Sequence, residues 1–163
     1  MTTLSRTPAI ALALGLLAAV PAWAAGTSSN SSTNDSSNAG STADDYDAAV
    51  ADVKAGNYIA AIPLLQKVVA ASPRNPDALN YLGFSYRKTG DMSQALVFYQ
   101  KALDLQPLHI GANEYMGELY LEMKNLPKAE ERLAVLKQAC TSCEEYGELK
   151  EKIDAFKKMA QSS

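Results

Sequence analysis

Residues Ser85–Pro107 read "SYRKTGDMSQALVFYQKALDLQP". The stretch predicts the end of one helix, a tight turn at Gly90, and a second helix that stops at Pro107, because glycine tolerates turn backbone and proline cannot continue a helix. Its pattern recurs on both sides. Gly56-Asn57-Tyr58 leads to Ala61, Leu65, Val68 and Pro73; Gly90-Asp91-Met92 leads to Ala95, Tyr99, Ala102 and Pro107; Lys124-Asn125-Leu126 leads to Ala129, Leu133, Leu136 and Thr141. Each set lies 34 residues after the one before.

The spacing inside each copy has a packing reason. Leu79, Leu82 and Tyr86 fall on one helical face at intervals of three and four, as do Ala95, Tyr99, Ala102 and Leu103, so two apolar stripes face each other. Gly83 and Ala95 remove bulk where the paired helices come closest. Asn57, Asp91 and Asn125 are placed to cap the second helices, and Asn75-Pro76 is a cap followed by proline at the first helical position.

A helix-turn-helix with this period resembles the tetratricopeptide repeat. The middle copy carries the likeness best, with Leu79, Leu82-Gly83 and Tyr86 on its first helix and Ala95, Tyr99, Ala102 and Pro107 on its second. The resemblance implies an all-α, right-handed α-solenoid of three hairpins, about 42–75, 76–109 and 110–143. It also implies that binding occurs on the concave surface formed by the first helix of each hairpin.

The copies degrade toward the ends, as terminal repeats do when one face meets water. Asp45, Ala48-Ala49 and Asp52 stand where the middle copy has Leu79, Leu82-Gly83 and Tyr86, which predicts a polar, weakly packed opening helix. In the third copy Lys124 replaces the turn glycine and Thr141 the terminal proline. Tyr146, Leu149, Ile153 and Phe156 then recur at three, four and three, so 144–163 is read as an amphipathic capping helix and tail. No stretch alternates with period two over a strand's length.

Upstream of the repeats, residues 1–24 have the order of a secretory signal. Arg6 precedes an apolar run from Ala9 to Val20, then Pro21 and Ala22-Trp23-Ala24. The run is too short for the roughly 20 residues that span a bilayer, so cleavage after Ala24, export to the periplasm and no lasting membrane insertion are expected. Residues 25–42 hold no large apolar side chain and are read as a disordered Ser/Asn-rich linker. Asn30-Ser31-Ser32 and Asn34-Asp35-Ser36 match the glycosylation sequon, a chance match behind a bacterial-type signal.

Without the signal, 14 basic residues face 18 acidic ones. The signs are interspersed from Lys54 to Lys158, which argues against a nucleic-acid partner, since phosphate backbones are met by clustered Lys and Arg. A monomer with a protein or peptide partner is the expectation.

Catalysis finds little support in the residues. The single histidine, His109, is read as a solvated loop residue after Pro107, and no Ser or Cys has a plausible base nearby. Asp44, Asp45 and Asp47 are read as complementing a helix dipole from its first turn. Cys140-Thr141-Ser142-Cys143 admits a structural disulfide, a thiol redox centre or half a metal site. Zinc needs four ligands, and two Cys and one His do not supply them, so no metal or other cofactor is expected. Ser142 and Glu145 read as a capping box, with Cys143 starting the closing helix and Cys140 ending the preceding one. The first cysteine would then meet a negative helix pole, which suits a bond better than attack.

On the concave side the side chains outside the core stripes are Tyr46, Val50, Val53 and Lys54, then Asn80, Phe84, Arg87 and Lys88, then Glu114, Glu118, Leu121 and Glu122. Phe84 is either a ligand platform or a filler of the groove. Glu114, Glu118 and Glu122 share one face; Arg87 and Lys88 either neutralise them or leave an acidic strip for a basic segment. The basic clamp that chaperone-binding repeats use for a C-terminal carboxylate is absent, with Tyr46, Asp47, Tyr81, Glu114 and Glu118 in its places. The reading is a non-catalytic protein- or peptide-binding scaffold, the competing one a thiol-active accessory factor using Cys140 and Cys143.

Overall fold

In the computed structural model, residues 36–162 are described. They form seven helices: α1 Ser36–Lys54, α2 Tyr58–Ala71, α3 Pro76–Lys88, α4 Met92–Leu105, α5 Ile110–Glu122, α6 Leu126–Ala139 and α7 Glu144–Gln161. α1 pairs with α2, α3 with α4 and α5 with α6, and α7 packs on α5 and α6. The chain is an all-α solenoid of three hairpins with a closing helix, and no strand occurs among the described residues.

The caps keep the 34-residue period. Asp91 and Asn125 accept the backbone N–H of Gln94 and Lys128 at 3.0 and 3.3 Å, holding the second helices. Asn57 stands at the equivalent place without a side-chain cap, and its amide nitrogen donates to Asp52. Asn75 and His109 cap α3 and α5, accepting from Ala78 and Ala112 at 3.0 and 3.1 Å. At the turns Gly56 and Gly90 have φ of 81° and 90°, and Lys124 occupies the same left-handed region at 57°.

Close approach is enforced where α3 and α5 carry glycine. A Cβ on Gly83 would stand 2.8 Å from the Tyr99 ring, and one on Gly117 would stand 2.5 Å from Leu149. Gly117 thus does for the closing helix what Gly83 does within the middle hairpin. Leu79, Tyr99, Leu119, Leu136, Leu149 and Ile153 form one core running from α3 to α7. Ala49, Val53, Ala61, Leu65 and Leu82 form a second between α1, α2 and α3. Phe84, Tyr86, Val69 and Phe98 pack against both.

Several expectations are corrected. α1 starts at Ser36, inside the stretch read as linker; once its later turns pack, each further helical residue adds a backbone hydrogen bond at little cost. The remainder of that linker and the 1–24 signal lie outside the described residues. Asp44, Asp45 and Asp47 are therefore well inside α1, not in its first turn, and Asp45 pairs with Lys67 at 2.6 Å. The opening helix is not weakly packed: Ala49 and Val53 are buried, so Val53 is core and not groove. His109 is buried, not solvated, because its ring caps α5. The capping box does not form. Cys143, not Ser142, is the N-cap of α7, and no side chain bonds there, since the turn that joins the two cysteines sets the helix start.

Candidate functional groove

The first helices α1, α3 and α5 build the groove from positions one repeat apart. Tyr46, Asn80 and Glu114 form one such row, Val50, Phe84 and Glu118 the next. The rows continue into α7 as Glu148 and Lys152, so the closing helix supplies groove side chains as a fourth first helix would.

At its centre Arg87 is almost wholly buried, its side chain 4% exposed. It pairs with Glu118 at 2.5 Å and Glu122 at 2.7 Å, and its guanidinium lies 5.3 and 5.8 Å from the ring centroids of Phe84 and Tyr115. Burial works against its charge, but Tyr99, Glu118 and Glu122 outweigh that and hold its pKa above the usual value. The buried Tyr99 hydroxyl faces this guanidinium, though neither it nor Arg87 Nε makes a well-formed hydrogen bond. Lys152 from α7 pairs with Glu118 and, at 3.2 Å, with Glu148. The strip is thus largely neutralised from within, by Arg87 and Lys152. Among the described residues Lys88 pairs with no carboxylate; its ammonium lies 5.4 Å from the Phe84 centroid.

Glu114 is different. It is 3% exposed, and no cation lies within ion-pairing distance of it among the described residues. Burial, then the neighbouring Glu118 and Glu148, push its pKa up to about 8, with Lys152 opposing. A hydrogen bond to Glu148 acts in the same direction, favouring the protonated carboxyl. One oxygen each from Glu114, Glu118 and Glu148 lie within 4.8 Å of one another.

Phe84, Arg87, Lys88, Glu114 and Glu118 line one cavity of about 390 Å³ with Tyr115, Glu144, Glu145, Glu148 and Lys152. Arg87, Lys88, Glu118, Leu121 and Glu122 line a second, of about 420 Å³, with Lys152, Phe156 and Met159. Two expected groove residues reach neither. Tyr46 meets Tyr81 edge to face at 6.3 Å, and burial, then Asp77, push its phenol up to about 12. Asn80 is buried between α3 and the start of α5, its amide nitrogen against Gly111.

Phe84 is half-buried between Tyr58 at 5.7 Å and Tyr115 at 4.6 Å, so it joins the two cores besides lining the groove. Of the two readings left open for Phe84, this packing favours the groove filler. Sequence reasoning missed the lining residues Tyr115, Glu144, Glu145, Glu148, Lys152, Phe156 and Met159. Glu148 and Lys152 follow Glu114 and Glu118 by the same 34 residues, so extending the period one step past the third hairpin would have found them.

The groove offers carboxylates, cations and aromatic faces for contact. Both His109 ring nitrogens are committed: Nδ1 accepts from Ala112, so Nε2 carries the proton and donates to Asp77 at 3.0 Å. Cys140 and Cys143 lie with sulfurs at disulfide distance and Cα atoms 5.6 Å apart, and they line neither cavity.

Residues 76–108 match the family model of the tetratricopeptide repeat. Cellulose synthase operon protein C of Escherichia coli K12 is 39% identical over 70 residues, 43% of this chain, which spans only 6% of that protein's length. MamA 41-end from Desulfovibrio magneticus RS-1 is 28% identical with a TM-score of 0.56, over 60% of this chain and 57% of its own. The first tetratricopeptide-repeat domain of Spaghetti (RPAP3), solved bound to the HSP90 peptide SRMEEVD, is 19% identical with a TM-score of 0.65, over 76% of this chain and 94% of its own. Residues 76–108 thus carry a tetratricopeptide repeat, and the turns and close-approach positions of the neighbouring hairpins follow it at the same 34-residue spacing.

Proposed function

We propose that this protein is a non-catalytic scaffold or assembly factor, exported to the periplasm after cleavage behind Ala24, that binds a protein or peptide partner through its concave groove. One observation carries the reading. Two adjoining cavities open on the side formed by α3, α5 and α7, and half-buried Phe84, Tyr115 and Leu121 stand in them beside charged groups. Aromatic and charged side chains around an unfilled concavity are the setting in which interface hot spots form. The Spaghetti domain, of the same fold, is bound to a peptide, which supports the reading by likeness of fold. The order of residues 1–24 supports export, and an oxidising compartment suits the cysteine pair.

The test is site-specific photocrosslinking in cells of the source organism. A crosslinker at Leu121, in the groove, should capture a partner, while one at Val97, 46% exposed on the outer helix α4, should not. Capture at Val97 alone would move binding off the groove. Intact-mass measurement of exported protein should show a chain starting at Ala25; retention of 1–24 would refute export by cleavage.

A further inference from the structure

We propose that the groove takes an extended basic–apolar peptide segment, its Lys or Arg side chain entering the cavity over Glu114 and a neighbouring large apolar side chain entering the cavity floored by Leu121 and Phe156. The inference rests on the groove reading above and adds the chemistry of the partner.

The balance of charge on the first cavity points to a cation. From α3 come Arg87 and Lys88, but Arg87 is spent on Glu118 and Glu122, and Lys88 sits over Phe84. From α7 comes Lys152, spent on Glu118 and Glu148. Against them α5 presents Glu114 and Glu118, and α7 presents Glu144, Glu145 and Glu148. Glu144 and Glu145 stand in the first turn of α7, where the helix pole offsets part of their charge. Glu114 has no such relief. It is nine-tenths buried, lines the cavity, and among the described residues has no cation to pair with. Burial and the neighbouring carboxylates disfavour its charge, which an arriving ammonium or guanidinium would favour. Tyr115 and Phe84 give the alkyl stem an aromatic wall.

The second cavity shares Arg87, Lys88, Glu118 and Lys152 with the first, so the two adjoin. Leu121 and Phe156 are half-buried and turn apolar surface toward it. In an extended segment, side chains two apart point to the same side, so one segment reaches both.

The test uses fluorescent blocked heptapeptides, Ser-Gly-Lys-Ser-Leu-Gly-Ser and its reverse, with controls in which Lys becomes Glu or Leu becomes Ser. Affinity is read by anisotropy on the exported chain. A Lys peptide should bind about tenfold more tightly than either control, the scale of one lost buried contact. Because Glu114 ionises near pH 8, its affinity should rise from about pH 6 to about pH 9, where lysine is still charged. Glu114→Gln should abolish that rise without lowering the melting temperature. Glu148→Gln, at an exposed position, serves as the second variant and should weaken Lys-peptide binding severalfold. Equal binding of Lys and Glu peptides, with Leu121→Ala weakening both, would overturn the inference and leave the groove reading standing. No binding of any peptide would also overturn it; crosslinking at Leu121 then decides the groove reading separately.

Discussion

Arg87 on α3 and Glu118 on α5 meet at 2.5 Å with side chains only 4% and 10% exposed, tying the middle repeat to the third at the floor of the groove. A pair so buried is costly to break from one side, since the remaining charge keeps its desolvation penalty without its partner. Arg87→Ala should therefore lower stability by about 3 kcal/mol or more, measured by urea unfolding. A loss under about 1 kcal/mol, the range of exposed pairs, would contradict this account.

Glu114 makes stability depend on pH in a set direction. Its folded pKa of about 8 lies above its ordinary 4.5, so in that interval the folded chain keeps a proton that the unfolded chain has released. Stability thus declines as pH rises from about 4.5 toward 8 and levels off above. Glu114→Gln should be more stable than wild type, by a margin that grows across the same interval. Paired melts at several pH values check this, and a constant margin would refute it.

Phe84 touches both cores, so Phe84→Ala should cost about 3 kcal/mol, the lower range for a large aromatic removed from packing. Partner affinity and melting temperature should fall together. Loss of affinity with an unchanged melting temperature would return Phe84 to a purely ligand-facing role.

Lys124 holds φ at 57°, a region that costs an L-residue roughly 1–2 kcal/mol. Its equivalents in the other repeats are Gly56 and Gly90. Lys124→Gly should raise stability by about 0.5–1 kcal/mol, the strain relieved less the entropy that glycine adds to the unfolded chain. Thermal melts read it directly, and a destabilised variant would show that the Lys124 side chain contributes elsewhere.

Cys140 and Cys143 close a loop so short that their bond is worth only about 2 kcal/mol. Alkylation before reduction should leave both unlabelled, and replacing both by Ser should loosen α7 with little change elsewhere. Because α7 carries Glu148 and Lys152 into the groove, hydrogen exchange at α7 should rise before any at α3.

The repeat period was legible because it depends on local rules. Caps at Asp91 and Asn125, left-handed backbone at the turns and small residues at the close approach recur wherever the same hairpin recurs, and each can be read from neighbours a few residues away. The capping role of His109 was open to the same reasoning, since it lies one period after Asn75, but its place after Pro107 led to its reading as a solvated loop residue. What sequence alone left open was the state of the charges. Whether Glu114, Glu118 and Glu122 formed a free acidic strip or an internal network depended on which cations came within a few ångströms. Arg87 lies 35 residues from Glu122, and Lys152 lies 34 from Glu118. Only the stacking of successive repeats brings them together, and only the geometry of that junction gives Glu118 two cations and Glu114 none. Coulomb interactions and desolvation follow distance and depth in space, neither of which a one-dimensional pattern carries.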